Sequence, residues 1–87
     1  MSAVTAGDID KLRHMLGAVP HLPKSSYGLR NYFAAGTNQQ ISMRRLRDAG
    51  LVTEGGASGD LVYFHATLAG CNEIGLSKAA IKRALED

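Results

Sequence analysis

The side chains in this sequence best suited to recognising another molecule are Gln40, Arg44, Arg45 and Arg47, crowded into one short stretch. A guanidinium offers a rigid fork of donors that matches paired acceptors such as phosphate oxygens or guanine O6 and N7, and a carboxamide can pair in the same way with adenine N6 and N7. Lys24 and Arg30 add two cations upstream. From Lys11 to Arg47 the chain carries Lys11, Arg13, Lys24, Arg30, Arg44, Arg45 and Arg47 with no aspartate or glutamate, and every acid lies outside that span. Such asymmetry gives one part of a small surface a positive field, which attracts polyanions whatever their sequence. The plainer reading is a solvated basic face with no partner.

The inventory for catalysis is thin. His14, His21, His65 and Cys71 are the candidate bases and nucleophile, and none stands at a ligand spacing such as C-x-x-C or H-E-x-x-H. No phosphate-binding or dinucleotide-binding glycine motif is present either. His65 and Cys71 would serve as base and nucleophile only if the fold brought them together. The expectation is a solvent-facing strand histidine and a buried helix thiol. The three histidines could instead form a pH-dependent part of a binding surface. A non-enzymatic chain without metal or cofactor is expected.

Composition bounds the architecture. Eighty-seven residues make one domain, in which roughly 60–65% of the unfolded chain's surface can be buried. An apolar fraction of 45% with 21% charged residues suits a folded chain and is too apolar for a disordered one. Cys71 is the single cysteine, so no intramolecular disulfide can form, and a lone buried thiol suits a reducing compartment. Residues 1–7 lack a basic start and a long apolar run, and no stretch approaches the length of a membrane span. A cytoplasmic protein without membrane association is expected.

The elements that would position these groups can be read from periodicity. Residues 1–7 read as a flexible tail, and 8–87 as a single domain. Asp8 can cap a first helix to about Leu16, with Ile9, Leu12 and Leu16 on one face and Gly17 as terminator. Pro20 and Pro23 mark a linker. A second helical pattern opens at Ser25 or Ser26, placing Leu29, Tyr32 and Phe33 at i, i+3 and i+4, with both rings expected in the core and Gly36 as the stop. Gly28 weakens such a helix by about 1 kcal/mol relative to alanine, and an extended run is the alternative. A third helix, about 38–49, can be capped by Thr37 or Asn38 with Gln40 in the capping-box position. At about 100° per residue it turns Met43, Leu46 and Ala49 to one face and Gln40, Arg44, Arg47 and Asp48 to the other, with Arg45 at a flank.

After Gly50 a hairpin over about 51–66 is expected. Its first strand covers Leu51 to Glu54, its tip is a mobile Gly55–Asp60 turn, and its return strand turns Val62, Phe64 and Ala66 to one face and Leu61, Tyr63 and His65 to the other. Two helices fill about 68–86, the first capped by Thr67 and closed by Gly75, the second capped by Ser77. Leu76, Ala80, Ile81, Ala84 and Leu85 form a stripe that can close the domain's own core or pair with its copy in a homodimer.

The run LRDAGLV at 46–52, followed by EGG and then YFHATLAG at 63–70, resembles the helix, wing and terminal helix of MarR-like winged-helix regulators. With RNYFAAG ahead of that run, the chain is also similar to small proteins encoded by phages and prophages. The resemblance covers about half the chain. It implies a winged helix-turn-helix, mainly α with a small antiparallel β-hairpin, and a regulatory or accessory factor of a phage or prophage that binds double-stranded DNA, as in transcription regulation. The third helix would enter the major groove. Arg44 and Arg47 with Gln40 would meet base edges, and Arg45, Arg30 and Lys24 would meet phosphate. The runner-up is a protein-interaction module on the same scaffold that does not bind DNA and docks on a host protein. A neutral-to-acidic wing and the apolar candidates Ile41, Leu61 and Tyr63 favour it.

Overall fold

In the computed structural model, which describes residues 4–86, four α-helices surround one face of a three-stranded antiparallel sheet. The elements are α1 (Ala6–Met15), β1 (Phe33–Ala35), α2 (Thr37–Asp48), β2 (Val52–Ser58), β3 (Leu61–Ala66), α3 (Leu68–Glu73) and α4 (Lys78–Leu85). The sheet order is β1-β3-β2. Residues 1–3 of the expected N-terminal tail lie outside the described residues, whereas Val4 packs on the core and α1 takes in Ala6 and Gly7.

Asp8 does not cap α1. Thr5 does, through a reciprocal pair in which Thr5 Oγ1 accepts from the Asp8 N–H at 3.1 Å and the Asp8 carboxylate accepts from the Thr5 N–H at 3.0 Å. This capping box satisfies two of the orphan donors at a helix start. Leu12, Met15 and Leu16 are fully buried, and the helix ends at Leu16 and Gly17 as its sequence directs.

The expected second helix is not formed. Only a 3₁₀ turn, Lys24–Ser26, appears, and the chain then runs extended into β1. Two causes are visible. Gly28 sits at φ +83, and a Cβ there would lie 2.2 Å from the Ala80 carbonyl oxygen, so this residue threads against α4 in a conformation no helix uses. Downstream, Phe33 and Ala35 face inward and pair with Phe64 and Val62, while Tyr32 is 47% and Leu29 65% exposed. The period is two, and the i, i+3, i+4 spacing of Leu29, Tyr32 and Phe33 is coincidental. Phe33 joins the core as expected; Tyr32 does not.

The predicted third helix is α2, within one residue of its expected bounds. Its cap is Gly36, and Gln39 rather than Gln40 reaches back, its Oε1 accepting from the Gly36 N–H at 3.0 Å. At the other end the Leu51 N–H donates to Leu46 O and the Gly50 N–H to Arg47 O, both at 2.9 Å. That pair of bonds is the glycine-terminated helix ending that reverses the chain into β2. Ser42, Met43 and Leu46 are buried, but Ala49, placed on the packed face by the helical wheel, is exposed. Between β1 and β2 there is this one helix, and the helix that packs on it is α1, which precedes it by residues 16–36. The expected pair of consecutive helices joined by a tight turn is therefore absent from this stretch.

The hairpin is longer and more ordered than a mobile tip implies. β2 runs to Ser58, the ladder slips by one residue between Glu54 and Ala57, and the reversal is confined to Gly59 and Asp60. A bulge absorbs the extra glycine and keeps both flanks in register. On β3, Phe64 and Ala66 are buried and Leu61 and His65 exposed, as alternation requires.

Thr67 and Ser77 cap α3 and α4 as expected, accepting from the Gly70 and Ala80 N–H groups at 3.1 and 3.2 Å. The Thr67 hydroxyl also donates to Gly50 O at 2.7 Å, and the Thr67 N–H donates to Leu51 O at 3.0 Å. A Cβ on Gly70 would fall 2.1 Å from that same Leu51 oxygen. The spacing Gly50, Thr67, Gly70 thus records one junction, where the end of α2 meets the start of α3. Ala80 and Ala84 of α4 are buried against the chain's own core, and Asn31 Nδ2 ties α4 to the sheet by donating to Ala84 O at 3.1 Å.

Candidate nucleic-acid interface

Helix α2 lies on the inner face of the sheet with its outward side beside β2, and four of the six candidate residues are on it. The three arginines have different fates. Arg45 turns toward α1, where Nε donates to Asp8 Oδ2 at 2.7 Å and Nη2 to Asp8 Oδ1 at 2.8 Å. Asp8 is 1% exposed, and its carboxylate also accepts from the buried Ser42 hydroxyl. The Arg45 guanidinium holds the Asp8 carboxyl well below the usual carboxylate range, with Ser42 and Thr5 acting in the same direction against the effect of burial. Arg45 is in turn raised by Asp8. A bidentate pair closed over a buried carboxylate fixes two helices to each other, and it removes Arg45 from the set available to a partner.

Gln40 is also occupied. Its Nε2 donates to Ala35 O at 3.1 Å and to Asp60 O at 2.9 Å, so the side chain bridges the end of β1 and the turn of the hairpin. Its Oε1 accepts from Arg44 Nη2 at 3.3 Å. Both groups of the carboxamide are therefore used inside the fold.

Arg44 and Arg47 remain on the surface, each less than half exposed, and share one acid of the hairpin. Arg47 Nη1 donates to Glu54 Oε1 at 2.7 Å, and its Nε and Nη2 donate to Asp48 Oδ1 at 3.2 and 3.1 Å. Arg44 Nε lies 3.8 Å from the same Glu54 oxygen. These carboxylates raise Arg47, Asp48 first and Glu54 second. Two cations face two anions, so the outward side of α2 is close to neutral. Exposed pairs of this kind are worth about 0–1 kcal/mol each, and a competing phosphate or base edge can take either guanidinium at small cost. Geometrically, Glu54 holds helix and hairpin as one surface.

Lys24 and Arg30 do not join this surface. Lys24 is exposed on the 3₁₀ turn beside the α3–α4 junction. Arg30 lies over the Tyr32 ring at 4.8 Å, in a cleft with Tyr63 and His65 on the side of the sheet away from α2. The six candidates thus divide into an outward pair, two internal braces and two cations elsewhere. Sequence reasoning missed Asp8 and Glu54, the two acids that decide where the arginines of α2 point. For Asp8 the available signal was Arg45 at the helix flank next to Ser42, a polar edge on an otherwise apolar side.

The candidate catalytic pieces are separated by environment: His65 is exposed on β3, and Cys71 is fully buried in α3 with its thiol pushed up by burial, the direction that disfavours the thiolate. Among the described residues no group of histidines, cysteines and acids could hold a metal ion, and no helix is long and apolar enough to cross a membrane. No family model matches the chain, and no match is found among curated proteins or solved structures.

Proposed function

We propose that this chain is a non-enzymatic, double-stranded DNA-binding protein built on a winged-helix plan, with α2 as the groove-entering helix and the β2–β3 hairpin as its wing. The supporting observation is the proximity of the two: Arg44 and Arg47 project from α2 and both meet Glu54 of the hairpin, so helix and hairpin present one continuous surface. The sheet order, with β1 beside β3 and α2 leading directly into β2, is compatible with such a plan, in which α1 would brace α2 in place of the helix expected immediately ahead of it. The resemblance of 46–52 and 63–70 to MarR-like regulators and to small phage proteins supports the same reading, and a regulatory or accessory role for a phage or prophage follows from it.

The contact set on this reading is smaller than the sequence suggests. Arg44 and Arg47 are the groove residues, released from Glu54 and Asp48 on binding, and Gln40 and Arg45 act as braces. An anisotropy titration of the protein against a random-sequence duplex at several salt concentrations tests it. A log–log slope of about −2 is expected, since each of the two guanidinium groups contributes about −0.9 on neutralising a phosphate, and replacing both arginines by alanine should bring it close to zero. No binding by the folded protein at about 50 mM salt would overturn the proposal.

One observation favours a second reading, a module that docks on a host protein. The outward side of α2 is charge-neutral, and Ile41 on it is 63% exposed, with Leu61 at the hairpin turn 38% exposed. A homodimer through α4 has a weaker basis, because Ala80 and Ala84 are already buried in the chain's own core.

A further inference from the structure

The side of the sheet away from α1 and α2 is open, with the end of α4 reaching one edge of it. Pairing register puts Tyr63 opposite Ala34, and His65 opposite Thr53, and Tyr32 continues the same face along the extended segment ahead of β1. At one end this face deepens into a cleft lined by Leu29, Arg30, Tyr32, Tyr63, His65 and Leu85, together with Asn31 and Ala84. Tyr32 is 47% exposed, Leu29 65% and Leu85 41%. Asn31 is committed to Ala66 and Ala84 and serves as a wall.

The composition of this cleft selects its occupant. Two aromatic rings, Tyr32 exposed and Tyr63 half-buried, line this cleft, and aromatic side chains are what unpaired nucleobases stack on. A guanidinium, Arg30, lies over one of the rings, and no acid lines the cleft. Among the described residues, the one acid within two chain positions of any lining residue is Glu86, exposed at the end of α4. A base carrying its own phosphate brings a ring for Tyr32 and an anion for the guanidinium. We propose that this cleft is a site for single-stranded nucleic acid, in which an unpaired base takes the place of Arg30 over the Tyr32 ring with Tyr63 beside it, and the displaced guanidinium pairs with the adjoining phosphate. The site is separate from the outward side of α2 and does not depend on duplex binding there.

The test is a titration of a labelled oligo-dT of about 12 nucleotides, within the site sizes usual for such surfaces, followed by anisotropy and by tyrosine emission. The chain has three tyrosines and no tryptophan, so stacking is visible as quenching of the protein's own fluorescence. Binding with quenching is expected. Tyr32→Ala and Arg30→Gln should each weaken it at least about fivefold, Tyr32→Phe should restore it, and the Arg44→Ala/Arg47→Ala variant should keep the quench. Both altered side chains are exposed, and a thermal melt of each variant confirms that folding is retained. The proposal is overturned if the folded wild-type protein does not bind, if Tyr32→Ala binds as the wild type does, or if sedimentation shows a dimer that Tyr32→Ala dissociates.

Discussion

Arg45 and Arg47 sit two positions apart on one helix and end in opposite circumstances. Arg45 closes over a carboxylate that is 1% exposed, with 30% of its own side chain in contact with solvent. Arg47 pairs with Asp48 and Glu54 on a surface where all three side chains remain substantially wet. The chemistry of the pairs is the same, and the energetics are not. A buried carboxylate has lost its water and depends on its partner, whereas an exposed one exchanges partner for solvent at little cost. Burial therefore sorts the arginines of α2 into one that holds the fold and two whose pairs exchange readily with solvent.

Removing the buried acid is the strongest way to break this contrast. Asp8→Ala leaves the Arg45 guanidinium unpaired between α1 and α2 and also deletes half of the α1 capping box. A loss of about 3 kcal/mol is expected, at the lower end of the range for a broken buried pair because Arg45 retains some water. In a domain of this size that lowers Tm by more than about 10 °C, measurable by circular dichroism. A melt within a degree or two of wild type would show that the pair is not a stabilising element.

Acid titration sharpens the same point. Asp8 has a folded-state pKa depressed below its unfolded value, so its contribution is fully present above the ordinary carboxylate pKa, near 3.9. It is lost as pH falls from there toward the depressed folded value. Denaturant unfolding of the wild type should therefore weaken progressively below about pH 5. Asp8→Asn, less stable at neutral pH, should show a shallower decline. Parallel pH profiles for the two proteins would assign the acid sensitivity elsewhere.

The exposed side of the comparison predicts small structural effects. Arg44→Ala and Arg47→Ala together should change stability by no more than about 1 kcal/mol, while duplex affinity falls and its salt dependence flattens. A large loss of stability would move these residues into the class of Arg45. The smallest expected effect is the most discriminating for function. Glu54→Gln removes the anion that competes for both guanidinium groups, so it should leave the melt nearly unchanged and tighten duplex binding about two- to fivefold. Weaker binding after this change would mean that Glu54 is needed to orient the arginines, and the wing would then be more than a competitor.

Much of the fold was legible because it rests on short-range rules. The bounds of α2, the caps Thr67 and Ser77, the stop at Gly50 and the alternation of β3 all follow from periodicity and from hydrogen bonds between residues a few positions apart. The candidate site was less legible, although its residues were named. That Gln40 and Arg45 brace the fold depends on Asp60 and Asp8, which are 20 and 37 positions away. No local pattern specifies such partners.

The same division accounts for residues 25–36. Their sequence permits a helical face of Leu29, Tyr32 and Phe33 and equally an extended run with Phe33 and Ala35 inward, and local propensity does not separate the two. Tertiary structure decided it, because the Ala80 carbonyl approaches Gly28 and β3 offers an edge to pair with. By itself the sequence determined where α2 and the hairpin begin and end, and that two arginines would face outward. Only the packing of α1 against α2 decided which arginine would be spent on Asp8, since a charge pair becomes structural when the surrounding chain excludes water from it.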